Sequence, residues 1–125
     1  MLCLLFSGAP DPPQDVKLVP FQVPNAKTVS VNVSWTPGYN GGFRQEFLIL
    51  YRKTRTDGDF TEESVGNPPS NIHTVQKLSP NTDYEFKVEA TNERGKGPSS
   101  TLAQVQTKGN ENFYLNSLSL VARYI

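Results

Sequence analysis

The chain has 125 residues, with acidic and basic side chains balanced at 12 each, so no Lys/Arg surface for nucleic acid or an anionic membrane is indicated. One cysteine, Cys3, rules out an intrachain disulfide, and with one histidine, His73, it rules out a Cys/His zinc cluster built by this chain alone. Apolar residues make up only 36%, but they fall in alternating runs punctuated by ten Pro and nine Gly, the habit of one all-β domain rather than of a disordered chain.

Residues 1–10 carry Leu2, Leu4, Leu5 and Phe6 without a basic start. Their apolar run is shorter than the about 7–15 residues of a secretion signal. A leader remnant, a spliced start or an artificial segment, without order, is expected there. No stretch reaches the roughly 20 apolar residues of a membrane span. The sequence Pro10-Asp11-Pro12-Pro13 opens the domain, expected over residues 11–108, and Val16, Leu18 and Phe21 fit a first edge strand interrupted by Pro20.

Val29, Val31, Val33 and Trp35 alternate with Ser30, Asn32 and Ser34, which predicts a half-buried second strand ending on the only tryptophan. The run Thr36 to Gly42 is a loop. It is glycine-rich, but no helix follows it, so it has no helix N-terminus with which to cradle a phosphate. A third strand runs from Gln45 to Thr54, with Phe47, Ile49 and Tyr51 on one side and Leu48, Leu50 and Arg52 on the other. Both sides are apolar near the centre. Leu48 and Leu50 are therefore either covered by the chain's tail or a neighbouring strand, or part of an exposed patch.

Asp57-Gly58 signals a hairpin turn, and Phe60 to Val65 a short fourth strand. After the loop Asn67-Pro68-Pro69-Ser70, Asn71 to Leu78 reads as a fifth strand with Ile72, Thr74 or Val75, and Leu78 as inward candidates. Tyr84, Phe86, Val88 and Ala90 alternate with Glu85, Lys87, Glu89 and Thr91 directly after the turn Leu78 to Asp83. A tyrosine in that place can bury its ring and return its hydroxyl to the turn's backbone, the tyrosine corner of β-sandwiches. Asn92 to Ser99 is the next turn, and Leu102 to Thr107 the last strand, with Ala103, Val105 and Thr107 on one face. Residues 109–125 form a tail whose pattern fits either a helix or a strand. Seven short strands spaced by turns predict a two-sheet antiparallel, immunoglobulin-like β-sandwich.

The leading prolines, Trp35, Tyr51-Arg52, the corner Leu78, Pro80, Thr82 and Tyr84, then Val88, Ala90, Asn92, Gly95, Gly97 and Ser99, resemble a fibronectin type III domain. The loop Trp35 to Gly42 with Gln45, Phe47 and Ile49 is similar to membrane-proximal domains of immunoglobulin-superfamily adhesion receptors, nephrin-like or turtle-like. The resemblance implies a non-catalytic spacer and interaction module in the extracellular part of a single-pass cell-surface protein. Its implied partners are other proteins, meaning neighbouring domains and cell-surface receptors. Neither cofactor, metal, nucleic acid nor direct membrane insertion is implied. An intracellular sarcomeric or cytoskeletal module, and a carbohydrate-binding accessory domain of an enzyme, are the rival readings. No Arg-Gly-Asp stands in the turn at Glu93.

No catalytic residue is expected. His73 lacks a nucleophile motif, and the acidic pairs Glu62-Glu63 and Asp57/Asp59 lie in solvated segments, where neither carboxylate would be desolvated. Two protein-binding surfaces are expected. One is the outer face carrying Leu48, Leu50 and Arg52 with Glu85, Lys87 and Glu89. The other is the loop pair carrying Tyr39 and Phe43 with Glu93, Arg94 and Lys96. Asn32-Val33-Ser34 is an N-glycosylation acceptor pattern on the outward side of its strand.

Overall fold

Eight strands form in the computed structural model, which describes residues 8–56, 58–66 and 70–108. They are β1 (Gln14–Phe21), β2 (Val29–Thr36), β3 (Glu46–Lys53), β4 (Thr61–Ser64), β5 (Ile72–Leu78), β6 (Asp83–Asn92), β7 (Gly95–Lys96) and β8 (Ala103–Gln106). One antiparallel sheet has the order β1-β2-β5, and the other runs β4-β3-β6, with β7 and β8 both paired to β6. Expectations for residues 1–7, 57, 67–69 and 109–125 lie outside the described residues.

Seven strands become eight because the last one is split. Pro98 lacks an N–H and cannot extend the ladder from β7. On either side of it, Gly97 N donates to Ala90 O at 2.9 Å and Ser100 N to Val88 O at 2.8 Å. The Ser100 hydroxyl accepts the Val88 N–H at 2.9 Å, standing in for a missing backbone carbonyl.

The inward side of β2 follows the two-residue period, burying Val29, Val31, Val33 and Trp35. Phe47 and Ile49 of β3 and Phe86, Val88 and Ala90 of β6 face them across the sandwich. Trp35 meets Phe47 edge-on with ring centroids 5.2 Å apart, and Tyr51 stacks on Phe86 at 5.5 Å. Burial stabilises such side chains by about 1.5–3 kcal/mol each. The corner forms as expected: Tyr84 is buried, and its hydroxyl oxygen accepts the Ser79 N–H at 2.9 Å.

Ile72, an inward candidate, lies outside at 54% exposed, and Phe21 of the edge strand is 40% exposed. In β1 the inward residues are Val16 and Leu18, so alternation turns Val19 and Phe21 outward, Phe21 opposite Ser30. In β5 the pairing slips beside Lys77, which sits at φ 65°, and the bulge brings Val75 and Leu78 inward three residues apart. Counting back from Val75 in steps of two leaves Ile72 on the outer face.

At the β4/β5 edge a polar bridge joins the two sheets. Glu63 of β4 accepts the Tyr51 hydroxyl at 3.2 Å, and its other oxygen lies 2.9 Å from His73 Nε2 of β5. Burial, then the neighbouring Glu63 carboxylate, pushes the Tyr51 phenol above its ordinary range.

Candidate functional site

The outer face of the β4-β3-β6 sheet is largely satisfied by its own residues. Pairing across β3 and β6 sets Leu48 beside Glu89, Leu50 beside Lys87 and Arg52 beside Glu85. Arg52 Nε donates to Glu85 at 2.7 Å, and its Nη1 donates to Gly58 O at 2.9 Å. The Arg52 guanidinium stands 4.2 Å and the Lys87 ammonium 4.4 Å from the centre of the Phe60 ring, so that ring serves two cations. Beneath this cover Leu50 is only 6% exposed. Of the two outcomes open for the pair, Leu50 takes cover and Leu48 stays half-buried. Phe60, the organiser of the cover, was read only as the start of a strand. Its place between two cations depends on cross-strand pairing that its own sequence neighbourhood does not carry.

Next to Leu48 the face opens into a depression of about 140 Å3 lined by Leu48, Ser64, Val65, Glu89, Thr91 and Lys96. Glu89 is buried there. Its Oε2 accepts the Ser99 hydroxyl at 2.7 Å. Its Oε1 has no hydrogen-bond partner, and Lys96 Nζ lies 3.5 Å away. A buried carboxylate oxygen left without a hydrogen bond costs about 1–3 kcal/mol, and the ion pair with Lys96 offsets only part of it. A docking group that brings an N–H and an apolar side chain would recover part of that.

The loop end is built around Asn92, the last residue of β6. Its Nδ2 donates to Gly8 O at 2.7 Å and Asn40 O at 2.8 Å, and its Oδ1 accepts the Arg94 N–H at 2.7 Å. One side chain thus ties the chain's leading segment, the loop after β2 and the β6–β7 turn. Gly8 N also donates to Gly41 O at 2.9 Å and Asp11 N to Tyr39 O at 2.8 Å. A Cβ on Gly41 (φ 76°) would strike Gly8 O, and one on Gly97 would strike Pro10 O. Gly8 to Pro10 are therefore packed on the domain.

Tyr39 is exposed, Phe43 is half-buried under the Arg94 guanidinium at 5.0 Å, and Glu93 and Arg94 are exposed. Lys96, expected with these loops, instead reaches Glu89 on the sheet face. Asn32 lies at the middle of the three-stranded sheet and is half-buried, with its Oδ1 accepting the Thr74 hydroxyl at 2.6 Å. Among the described residues no group of His, Cys, Asp and Glu is placed to hold a metal ion.

Comparison with known sequences and structures places this geometry among relatives. The profile of the family described as "Fibronectin type III domain" matches residues 11–106. Human "Protein turtle homolog A" is 35% identical over 100 residues, covering 72% of this chain and 8% of the relative. Human "Nephrin" is 36% identical over 92 residues, covering 74% and 7%. The chain thus spans less than a tenth of the length of either relative. Both receptor groups named on the residues of the first loop and third strand are among the matches. A solved fragment with domains A168–A170 of titin superposes with a TM-score of 0.62 at 28% identity, over 80% of this chain and 32% of that one. The FN5 domain of Drosophila Lar superposes with a TM-score of 0.60 at 28% identity, over 81% and 99%.

Proposed function

This chain belongs to the fibronectin type III domain family, and on that premise we propose that it is a non-catalytic extracellular interaction and spacer module of a cell-surface adhesion or receptor protein. The sequence relatives favour that setting over an intracellular one, since the matched segments of turtle homolog A and nephrin are more similar to it than the titin fragment is. The spacer role rests on the Asn92 clamp, which fixes the leading segment to two loops and so sets the direction from which the chain arrives. The interaction role rests on one observation, the depression at Leu48 beside a Glu89 oxygen that is ion-paired to Lys96 but accepts no hydrogen bond. A protein partner that inserts an apolar side chain and donates an N–H to Glu89 suits it. Leu48, Glu89 and Lys96 form the centre of this face, with Leu50 and Arg52 as its support. Tyr39, Phe43, Glu93 and Arg94 provide a second contact zone close to the leading segment.

Placement is tested by staining unpermeabilised cells that make the parent protein with an antibody raised against this domain. Surface labelling is expected, and labelling only after permeabilisation would overturn the extracellular reading. The face is tested with domain-coated beads presented to beads coated with the same domain or with receptor ectodomains of the related families. Leu48→Arg should abolish capture without lowering the melting temperature, and Lys96→Glu should abolish it while lowering the melting temperature, because it sets a second carboxylate beside buried Glu89. Capture unaffected by either change would overturn the face.

A further inference from the structure

We propose that Asn32 carries an N-linked glycan whose first sugars lie on Val19, Phe21 and Ile72, so that the outer face of the β1-β2-β5 sheet is shielded by carbohydrate. This rests on the extracellular reading above. On that face the central strand presents only small polar residues, Ser30, Asn32 and Ser34. The flanking strands place three apolar residues beside them, Val19 directly opposite Asn32, Phe21 opposite Ser30 and Ile72 opposite Ser34, along with Lys17 and Thr74. Val19 is 56% exposed, and Phe21 and Ile72 are exposed as well. Directly paired residues stand about 4.5–5.5 Å apart and diagonal ones about 7–8 Å, so all three lie within one or two sugar rings of the Asn32 amide. Thr74 opposite Asn32 and Lys17 opposite Ser34 complete the face, and the exposed side chains of Val19, Phe21 and Ile72 meet the C–H faces of the sugars.

The hydrogen bonding of Asn32 fits the modification. Thr74 donates to Oδ1 at 2.6 Å, and no hydrogen bond among the described residues ties down Nδ2. Transfer of an oligosaccharide from a polyprenyl pyrophosphate forms a bond from Nδ2 to the sugar's C1. It breaks the bond from C1 to the pyrophosphate oxygen and releases the lipid pyrophosphate and one proton. Oδ1 takes no part and keeps its bond to Thr74. Because β2 is laddered on both sides, transfer must precede folding of this sheet.

The test is independent of where the parent protein resides. The full chain is fused to a known secretion signal and made in mammalian cells, alongside Ser34→Ala, which destroys the acceptor pattern but keeps Asn32 and its bond to Thr74. Wild type should run as a heavier species that peptide-N-glycosidase collapses, with the sugar mapped to the Asn32 peptide; Ser34→Ala should not. Enzymatically deglycosylated wild type and Ser34→Ala should bind an environment-sensitive hydrophobic dye several-fold more than the glycoprotein. Val19→Ser with Phe21→Ser, added to Ser34→Ala, should remove that excess. An unmodified Asn32 in the secreted wild type would overturn the proposal. So would a glycan whose removal leaves dye binding unchanged. Failure of the surface staining with success here would overturn only the extracellular placement of the parent.

Discussion

The two outer faces of the sandwich answer the same alternation in opposite ways. On the β4-β3-β6 face the apolar centre is roofed by the molecule itself, through Arg52–Glu85 and the two cations over Phe60. On the β1-β2-β5 face Val19, Phe21 and Ile72 stand in solvent, each directly opposite a serine or asparagine too short to reach over it. Leu50, beside Lys87 and the Arg52–Glu85 pair, ends up covered; the larger or branched residues opposite serine or asparagine do not. Whether an outward apolar residue becomes a surface is therefore decided by the length and charge of its cross-strand neighbours.

The sharpest way to break this contrast is a matched pair of truncations. Leu50→Ala should cost about 2–5 kcal/mol, as for a core leucine. Ile72→Ala should cost less than about 0.5 kcal/mol, as for an exposed site. Urea unfolding of both variants measures the gap, and equal losses would end the distinction. Tyr84→Phe probes the frame beneath both faces. Loss of the hydroxyl that accepts Ser79 N–H should cost about 1 kcal/mol while leaving bead capture intact. Full stability after that change would mean the corner bond contributes nothing.

Phe60→Ala should cost about 0.5–1 kcal/mol per lost cation contact and raise the exposure of Leu50. Faster exchange of amide hydrogens in β3 would report it. The smallest effect concerns pH. The folded Tyr51 phenol is raised above its ordinary 10.0, so the folded state holds this proton more tightly than the unfolded chain does. Its contribution is full below pH 10.0 and is lost as pH rises above it through the raised folded value. Melting temperature should thus fall on that alkaline side, and Tyr51→Phe should flatten the fall.

Most of the fold was legible because local pattern and global role agree along β2 and β6, where every second residue is both apolar and buried. Legibility failed where a bulge or a neighbour intervenes. Ile72 was an inward candidate by its hydrophobicity, yet the irregularity at Lys77 turns it out. The candidate surfaces were legible as residue lists and not as geometry. Lys96 was grouped with its loop by sequence proximity, but the reach of its side chain joins it to Glu89. Asn92 was recognised only as part of a family spacing. Its two donor bonds reach residues 84 and 52 positions away, and no local pattern encodes such distances.

The two ends of the described domain have a mechanical consequence. Near the leading end, Gly8 is held by Asn92, the last residue of β6. At the trailing end, the Thr107 hydroxyl donates to Ser79 O at 2.6 Å and accepts the N–H of Thr82, the residue just before β6, at 3.1 Å. These anchors sit at opposite ends of a ten-residue strand, about 30 Å apart. A pull on the two ends therefore loads side-chain anchors at both poles before it shears a sheet. Tension then runs along β6 like a cable through the middle of the domain, and the edge strands β1 and β8 would peel only after an anchor has given way.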